Sequence, residues 1–295
     1  MEILSCLNST IVQLSAEEHD RITADTQAAT HVAFLSMGSA WRANEQFPWE
    51  LPHNTGGLEN VKINIMMRIY SSKWHVYAGL AILNPAARIQ IKQYAQSVTE
   101  LFKLMIEGRK AEFKSRIHQA GEAVFGGPAR ESRPLLLDYD VLKRFRLAGD
   151  GHFEPRPNNH LSLLGIVDCW WKLNISPYQH MIASTPLFRL WLGATEALFR
   201  DPDLLNRAIH TALEDISFRS DDLEFVLAAR DWSECISFGD FEAYRDRFER
   251  VRGWFEEAGR FDEAKRVGIE MVKVVEASQA SRNTCGISMV TSESF

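Results

Sequence analysis

Cysteine is scarce and scattered in this sequence. Cys6, Cys169, Cys235 and Cys285 form no CxxC pair, which argues against a zinc ribbon or a disulfide-stapled scaffold and suits a reducing compartment. Basic charge has no surplus: the net charge is −6 and the pI is about 5.9. Nucleic-acid binding therefore lacks the cationic excess it needs to neutralise phosphates. The apolar runs are short and broken by charge, so no membrane span is expected. Residues 1–14 lack the basic stretch, apolar stretch and small-residue cleavage site of a signal peptide, and the cytoplasm is the default compartment. No glycine fingerprint of the GxGxxG type follows a strand. Gly56-Gly57 and Gly126-Gly127 are loop glycines without that spacing, so no cofactor-binding residue is assigned. His152, His180 and His210 show no metal-ligand spacing, and no metal is expected.

What is present is helical. With 295 residues, 45% of them hydrophobic, the chain can bury a sizeable core as one large domain or two smaller ones. Ser15 and Glu18 form a capping box. The helix it opens should run through His19, Ala24, Gln27, His31 and Leu35 toward Trp41. Asn84-Pro85, Thr185-Pro186 and Asp201-Pro202 each set a capping side chain before a proline at the first helical position. Helices are predicted over 86–107, 187–200 and 203–216. Asp240 should cap a long helix that ends near Gly259. Ile11-Val12-Gln13-Leu14 alternates weakly and reads as a short strand. Residues 43–60 read as a loop, and 126–158 carry the glycines and prolines of a linker. The stretch 278–295 has the composition of a disordered tail.

Two stretches look alike across that linker. His31, Leu35 and Trp41 are spaced as His160, Leu164 and Trp170 are. Trp74 precedes Pro85 as Trp191 precedes Pro202. Phe113, Ile117, Ala120 and Val124 match Tyr244, Phe248, Val251 and Phe255. Two copies are too few for a solenoid. They predict an all-α chain of two similar helical bundles in tandem, units 15–126 and 159–277, joined by the linker 127–158.

The segments Glu17-Glu18-His19-Asp20 to His31, Gly56-Gly57-Leu58-Glu59-Asn60-Val61-Lys62, Arg68 to Leu80, His160 to Leu164, and Ser184 to Arg189 carry a family resemblance. The chain resembles the C-terminal helical part of the fungal-type, NADP-dependent prephenate dehydrogenases, from residue 1 to about 275. The resemblance implies a helical domain like the C-terminal domain of 6-phosphogluconate dehydrogenase. Residues 1–14 would be a strand remnant of a nucleotide-binding half that lies outside the sequence. It also implies the oxidative decarboxylation of prephenate to 4-hydroxyphenylpyruvate in tyrosine biosynthesis, with NADP taking the hydride. That chemistry needs a base for the 4-hydroxyl and cationic or donor groups for two carboxylates. In the family the base and the NADP site belong mainly to the nucleotide-binding half, so the catalytic residue stays unassigned here.

The substrate contacts implied by the resemblance begin with His31, the second histidine of the opening helix. Gln27 stands one turn before it on the same face. Bacterial members place an arginine shortly before the proline of their Asp-Pro pair. The matching positions here are Ala78 or Gly79 and Glu196 or Ala197, so that role does not carry over. His75, Lys73 and Arg68, near by on helical facing, are the remaining candidates for a substrate carboxylate. His160 reads as structural, the tryptophans as core and interface fillers, and Glu256-Glu257 and Asp221-Asp222 as helix-end surface charge. The expected association is a homodimer or an intramolecular pseudo-dimer of the two units. The alternatives are a non-catalytic helical module that associates with a separate nucleotide-binding polypeptide, and a general all-α interaction protein.

Overall fold

The computed structural model describes residues 13–47, 58–126, 157–179 and 185–261. Most of the expected linker, all of the tail and the first two residues of the expected strand fall outside them. Gln13 and Leu14 have no regular structure.

The capping box forms. Glu18 N–H donates to Ser15 Oγ at 3.1 Å and Ser15 N–H to Glu18 Oε2 at 2.8 Å. It opens α1 (Ala16–Thr23), which passes through a π-helical turn (Ala24–Ala28) into α2 (Ala29–Ala43). There follow α3 (Leu58–Tyr70), α4 (His75–Leu83), α5 (Pro85–Ile106) and α6 (Lys110–Phe125). The second series is α7 (Leu161–Lys172), α8 (Pro186–Arg200), α9 (Pro202–Glu214), α10 (Arg219–Phe238) and α11 (Phe241–Glu257). The described residues contain no strand. Starts follow the capping side chains: Asn84 Oδ1 accepts from Ala86 and Ala87, and Asp201 Oδ1 accepts from Asp203 and Leu204. Each satisfies amides that an open helix end would leave bare.

The two series match helix for helix, α2–α6 against α7–α11. Asn84 caps α5, and Asp215 caps the 3-10 turn (Ile216–Phe218) that leads into α10. Gly108 and Gly239 end those helices with φ of 67° and 72°, the left-handed conformation that glycine adopts without penalty. One sequence spacing relates Asn84 to Asp215, Gly108 to Gly239, and Phe113 to Tyr244. This corrects the pairing of Trp74–Pro85 with Trp191–Pro202, because Asp201-Pro202 opens the counterpart of α4, not of α5. An Asx-Pro cap marks any helix start and so does not by itself identify which one.

The halves are interlocked around α5 and α10, which pack on each other at the centre. Helix α2 packs on α10 and α11 of the second series, while α7 packs on α5 and α6 of the first. One hydrophobic core runs through both, with Trp170, Trp191, Trp232, Tyr70, Tyr94 and Tyr244 among its largest fully buried side chains. A close approach holds α7 on α5: a Cβ at Gly165 would lie 2.3 Å from Val98 Cγ1. Val98 is fully buried and stiff at χ1, so it cannot swing aside. Gly165→Ala should therefore cost about 1–3 kcal/mol and lower the melting temperature by roughly 5 °C. Adding Val98→Ala should recover part of that loss, a non-additivity readable by thermal circular dichroism. Purely additive losses would show that the two positions do not touch.

Candidate functional site

The opening helix departs from α geometry where the family resemblance places the substrate. Thr26 Oγ1 donates to Ile22 O at 3.0 Å, and Gln90 Nε2 donates a short hydrogen bond to Asp25 Oδ1. A π-helical turn rotates the facing of the residues after it, and such turns recur at functional sites. Gln27 sits half-buried on this turn.

His31, in the first turn of α2, is 8% exposed. Its ring meets Tyr77 of α4 edge-on, with centroids 4.3 Å apart. Burial pulls the imidazole pKa down to about 3, so the ring stays neutral across the physiological range. His31 Nδ1 has no hydrogen-bond partner among the described residues. A buried polar atom left in that state costs about 1–3 kcal/mol, which a ligand could offset. Burial raises the Tyr77 phenol, while Ser72, within hydrogen-bonding reach, and the Arg68 charge pull it back. Arg68 itself is exposed. His31, Tyr77 and Arg68 thus form a line from the core to the surface. Lys73 and His75 stand on the outside where α4 begins, both exposed, with the His75 ring edge-on to Trp74 at 5.7 Å. The two cavities lined wholly by described residues do not include His31. At the position where bacterial relatives would have their arginine, Glu196 is fully buried and accepts from Tyr178 Oη at 2.6 Å and Arg200 Nη1 at 3.2 Å. Tyr77 is the member that sequence reasoning missed. Its only signal was the apolar spacing of Trp74, Tyr77, Ala78 and Ala81.

A second group of polar side chains lies deep between α3, α7 and α10. Lys62 Nζ pairs with Glu59 Oε1 at 2.7 Å. His160 Nδ1 approaches the same oxygen to 3.0 Å, but neither atom gains an aligned hydrogen bond from that approach, so the contact is an ion-pair distance. Burial alone would raise the Glu59 pKa; Lys62 and His160 outweigh it and hold the carboxyl at about 2. Burial lowers His160, with Glu59 opposing. Asn159 Nδ2 donates to both oxygens of Asp222 at 2.8 Å, and Arg219 Nη1 lies 3.6 Å away. Asp222 is buried, which corrects its reading as surface charge; only Asp221 of that pair is exposed. Position at a helix start says nothing about which face the neighbouring helices cover. Asn60 is 1% exposed, and neither of its side-chain polar atoms has a partner among the described residues.

A family model of a 6-phosphogluconate dehydrogenase C-terminal domain matches residues 28–277, and the chain belongs to this family. It is 56% identical over 272 residues to a protein of Schizosaccharomyces pombe named probable prephenate dehydrogenase (NADP+), covering 92% of this chain and 63% of that protein. It is 50% identical over 288 residues to the prephenate dehydrogenase (NADP+) of Saccharomyces cerevisiae, covering 95% of this chain and 63% of that protein. A chloroplastic arogenate dehydrogenase 2 of Arabidopsis thaliana is 30% identical over 138 residues, 45% of this chain and 34% of its own length. The chain thus spans 63% of the length of its two fungal relatives. No solved structure matches it.

Burial pushes the Asp222 pKa up to about 7, against its hydrogen bonds from Asn159 and the Arg219 charge. The folded state therefore keeps a proton that the unfolded chain sheds near pH 4. That contribution to stability is present at acid pH and is lost as pH rises through about 7. Asp222→Asn mimics the protonated group. The variant should gain stability relative to the parent between pH 5 and pH 8, by up to about 4 kcal/mol. Urea unfolding at both pH values reads it, and His31, common to both proteins, cancels. An unchanged difference would mean that Asp222 ionises normally.

Proposed function

We propose that this chain forms the helical, substrate-facing part of an NADP-dependent prephenate dehydrogenase, which oxidatively decarboxylates prephenate to 4-hydroxyphenylpyruvate in tyrosine biosynthesis. The observation that carries this reading is identity of 50–56% to two fungal proteins of that name across more than nine-tenths of the chain. The buried histidine on the opening helix supports it.

In this reading His31 hydrogen-bonds the substrate. A neutral imidazole whose pKa lies near 3 is a poor proton acceptor near neutral pH, so it orients the substrate and the base comes from elsewhere. Gln27, one turn earlier, shares the pocket, and Arg68 draws a carboxylate inward past Tyr77. Lys73 and His75 add rim charge or donors. The described residues are helical and offer no strand, glycine turn and helix to cradle a dinucleotide, so no residue is assigned to NADP. The matching series α2–α6 and α7–α11 act as an intramolecular pseudo-dimer. The two described cysteines, Cys169 and Cys235, are free and buried, and we place the protein in the cytoplasm.

One observation favours a non-catalytic helical module: His31 packs on Tyr77 inside the bundle, away from both cavities described. Fusing the chain behind the nucleotide-binding part of the Schizosaccharomyces pombe relative separates the readings. Under the proposal the fusion reduces NADP with prephenate, His31→Asn lowers kcat/KM about 10–100-fold, and Arg68→Gln acts chiefly on KM. A folded fusion without activity supports the non-catalytic module. A His31→Asn fusion with unchanged kinetics removes His31 from the site.

A further inference from the structure

The matched series permit a position-by-position comparison, and one ion-pair site differs between them. In the first series Arg116 of α6 is clamped by two carboxylates. Its Nε and Nη2 donate to Asp168 of α7, each at 2.7 Å, and Nη2 also meets Glu100 of α5 at 2.7 Å. Asp168 is fully buried. The counterparts in the second series are Arg247 of α11, Asp231 of α10 and, in place of Asp168, Ser39 of α2. Arg247 keeps a close ion pair with Asp231, but the second carboxylate is gone.

The surroundings have shifted the same way. Gln119 of the first series corresponds to Arg250, and Trp171 to Arg42. Neither Arg42 nor Arg250 has an ion pair among the described residues. The second site has thus lost one carboxylate and gained two guanidinium groups. Where Asp168 would stand there is a cavity of about 540 Å³. Ser39, Arg42, Arg247 and Arg250 line it on one side, with Leu227 and Val251 on the other. Trp232 Nε1 donates to Ser39 Oγ at 2.9 Å on its floor. Acids are present but mostly engaged: Asp231 by Arg247, and Asp246 by Arg245 at 3.2 Å. Glu224 is the remaining carboxylate of the lining. Burial, and secondly the Arg250 charge, lower the Arg247 pKa, as expected of packed guanidinium groups short of anions.

We propose that this cavity, between the end of α2 and helices α10 and α11, binds a small carboxylate with an apolar body. The ligand carboxylate takes the place that Asp168 fills in the other half, bridging Arg247 and Arg250. Its apolar body rests on Leu227 and Val251. Guanidinium groups present paired donors to a planar carboxylate. This site is separate from the His31 group and does not depend on the reading given for it.

Calorimetric titration of the purified chain with benzoate tests the proposal, with inorganic phosphate and benzylamine as comparison probes. Benzoate should bind, phosphate should bind at least tenfold more weakly, and benzylamine should not bind. Ser39→Asp restores the carboxylate of the first half and should weaken benzoate at least tenfold without lowering the melting temperature. Arg250→Gln, at an exposed position, should weaken it comparably and decides the matter if Ser39→Asp fails to fold. Absence of benzoate binding at millimolar concentration, or binding that Arg250→Gln leaves unchanged, overturns the site. Phosphate binding as tight as benzoate overturns the apolar body.

Discussion

Everything in this molecule depends on two helices that have almost no outside. Helix α2 is buried at nearly every position from Ala29 to Ala40, and α7 at every position from Leu161 to Trp170. A helix covered on all sides needs neighbours on all sides, and neither half has enough of its own. The solution is reciprocal: α2 lies against α10 and α11, and α7 against α5 and α6. The two series therefore share one hydrophobic core. Small residues such as Gly165 let the helix axes approach, and tryptophans fill the wider gaps.

The same burial sets the electrostatics. Each half places a histidine at the beginning of its covered helix, His31 or His160, and desolvation depresses both. His160 has Glu59 beside it, whereas His31 has only the edge of Tyr77 for its ring. Charges that cannot escape have been paired: Arg116 with Asp168, Lys62 with Glu59. Leaving one partner of such a buried pair alone would be strongly unfavourable. Asp222, hydrogen-bonded to neutral Asn159 and further from Arg219, is relieved by keeping its proton.

Similar helices in similar order have thus come to hold different chemistry. One half carries the unsatisfied imidazole nitrogen and the line of side chains leading outward to Arg68. In the other half the corresponding histidine is tied into a buried ionic group. The arginine sites diverge in the opposite sense, closed by Asp168 in one half and open beside Ser39 in the other. In a symmetric pair of identical subunits every site occurs twice; an internal repeat lets one copy of each site change freely. That freedom fits the proposed division of labour, in which only one histidine faces substrate.

Helix starts were legible in the sequence because capping is a local affair. Ser15, Asn84, Thr185, Asp201 and Asp240 each satisfy amides two or three residues ahead, and no distant part of the chain takes part. The ends of the repeat were legible as well, from the spacing of His31 and His160 and from the apolar positions of α6 and α11. Its middle was misaligned because an Asx-Pro cap looks the same at any helix. The apposition of His31 and Tyr77, the burial of Asp222, the clamp on Arg116 and the cavity at Ser39 were decided only in three dimensions. Each arises from which helix covers which face, and that depends on contacts between residues far apart in the chain, whose pairing no local pattern encodes.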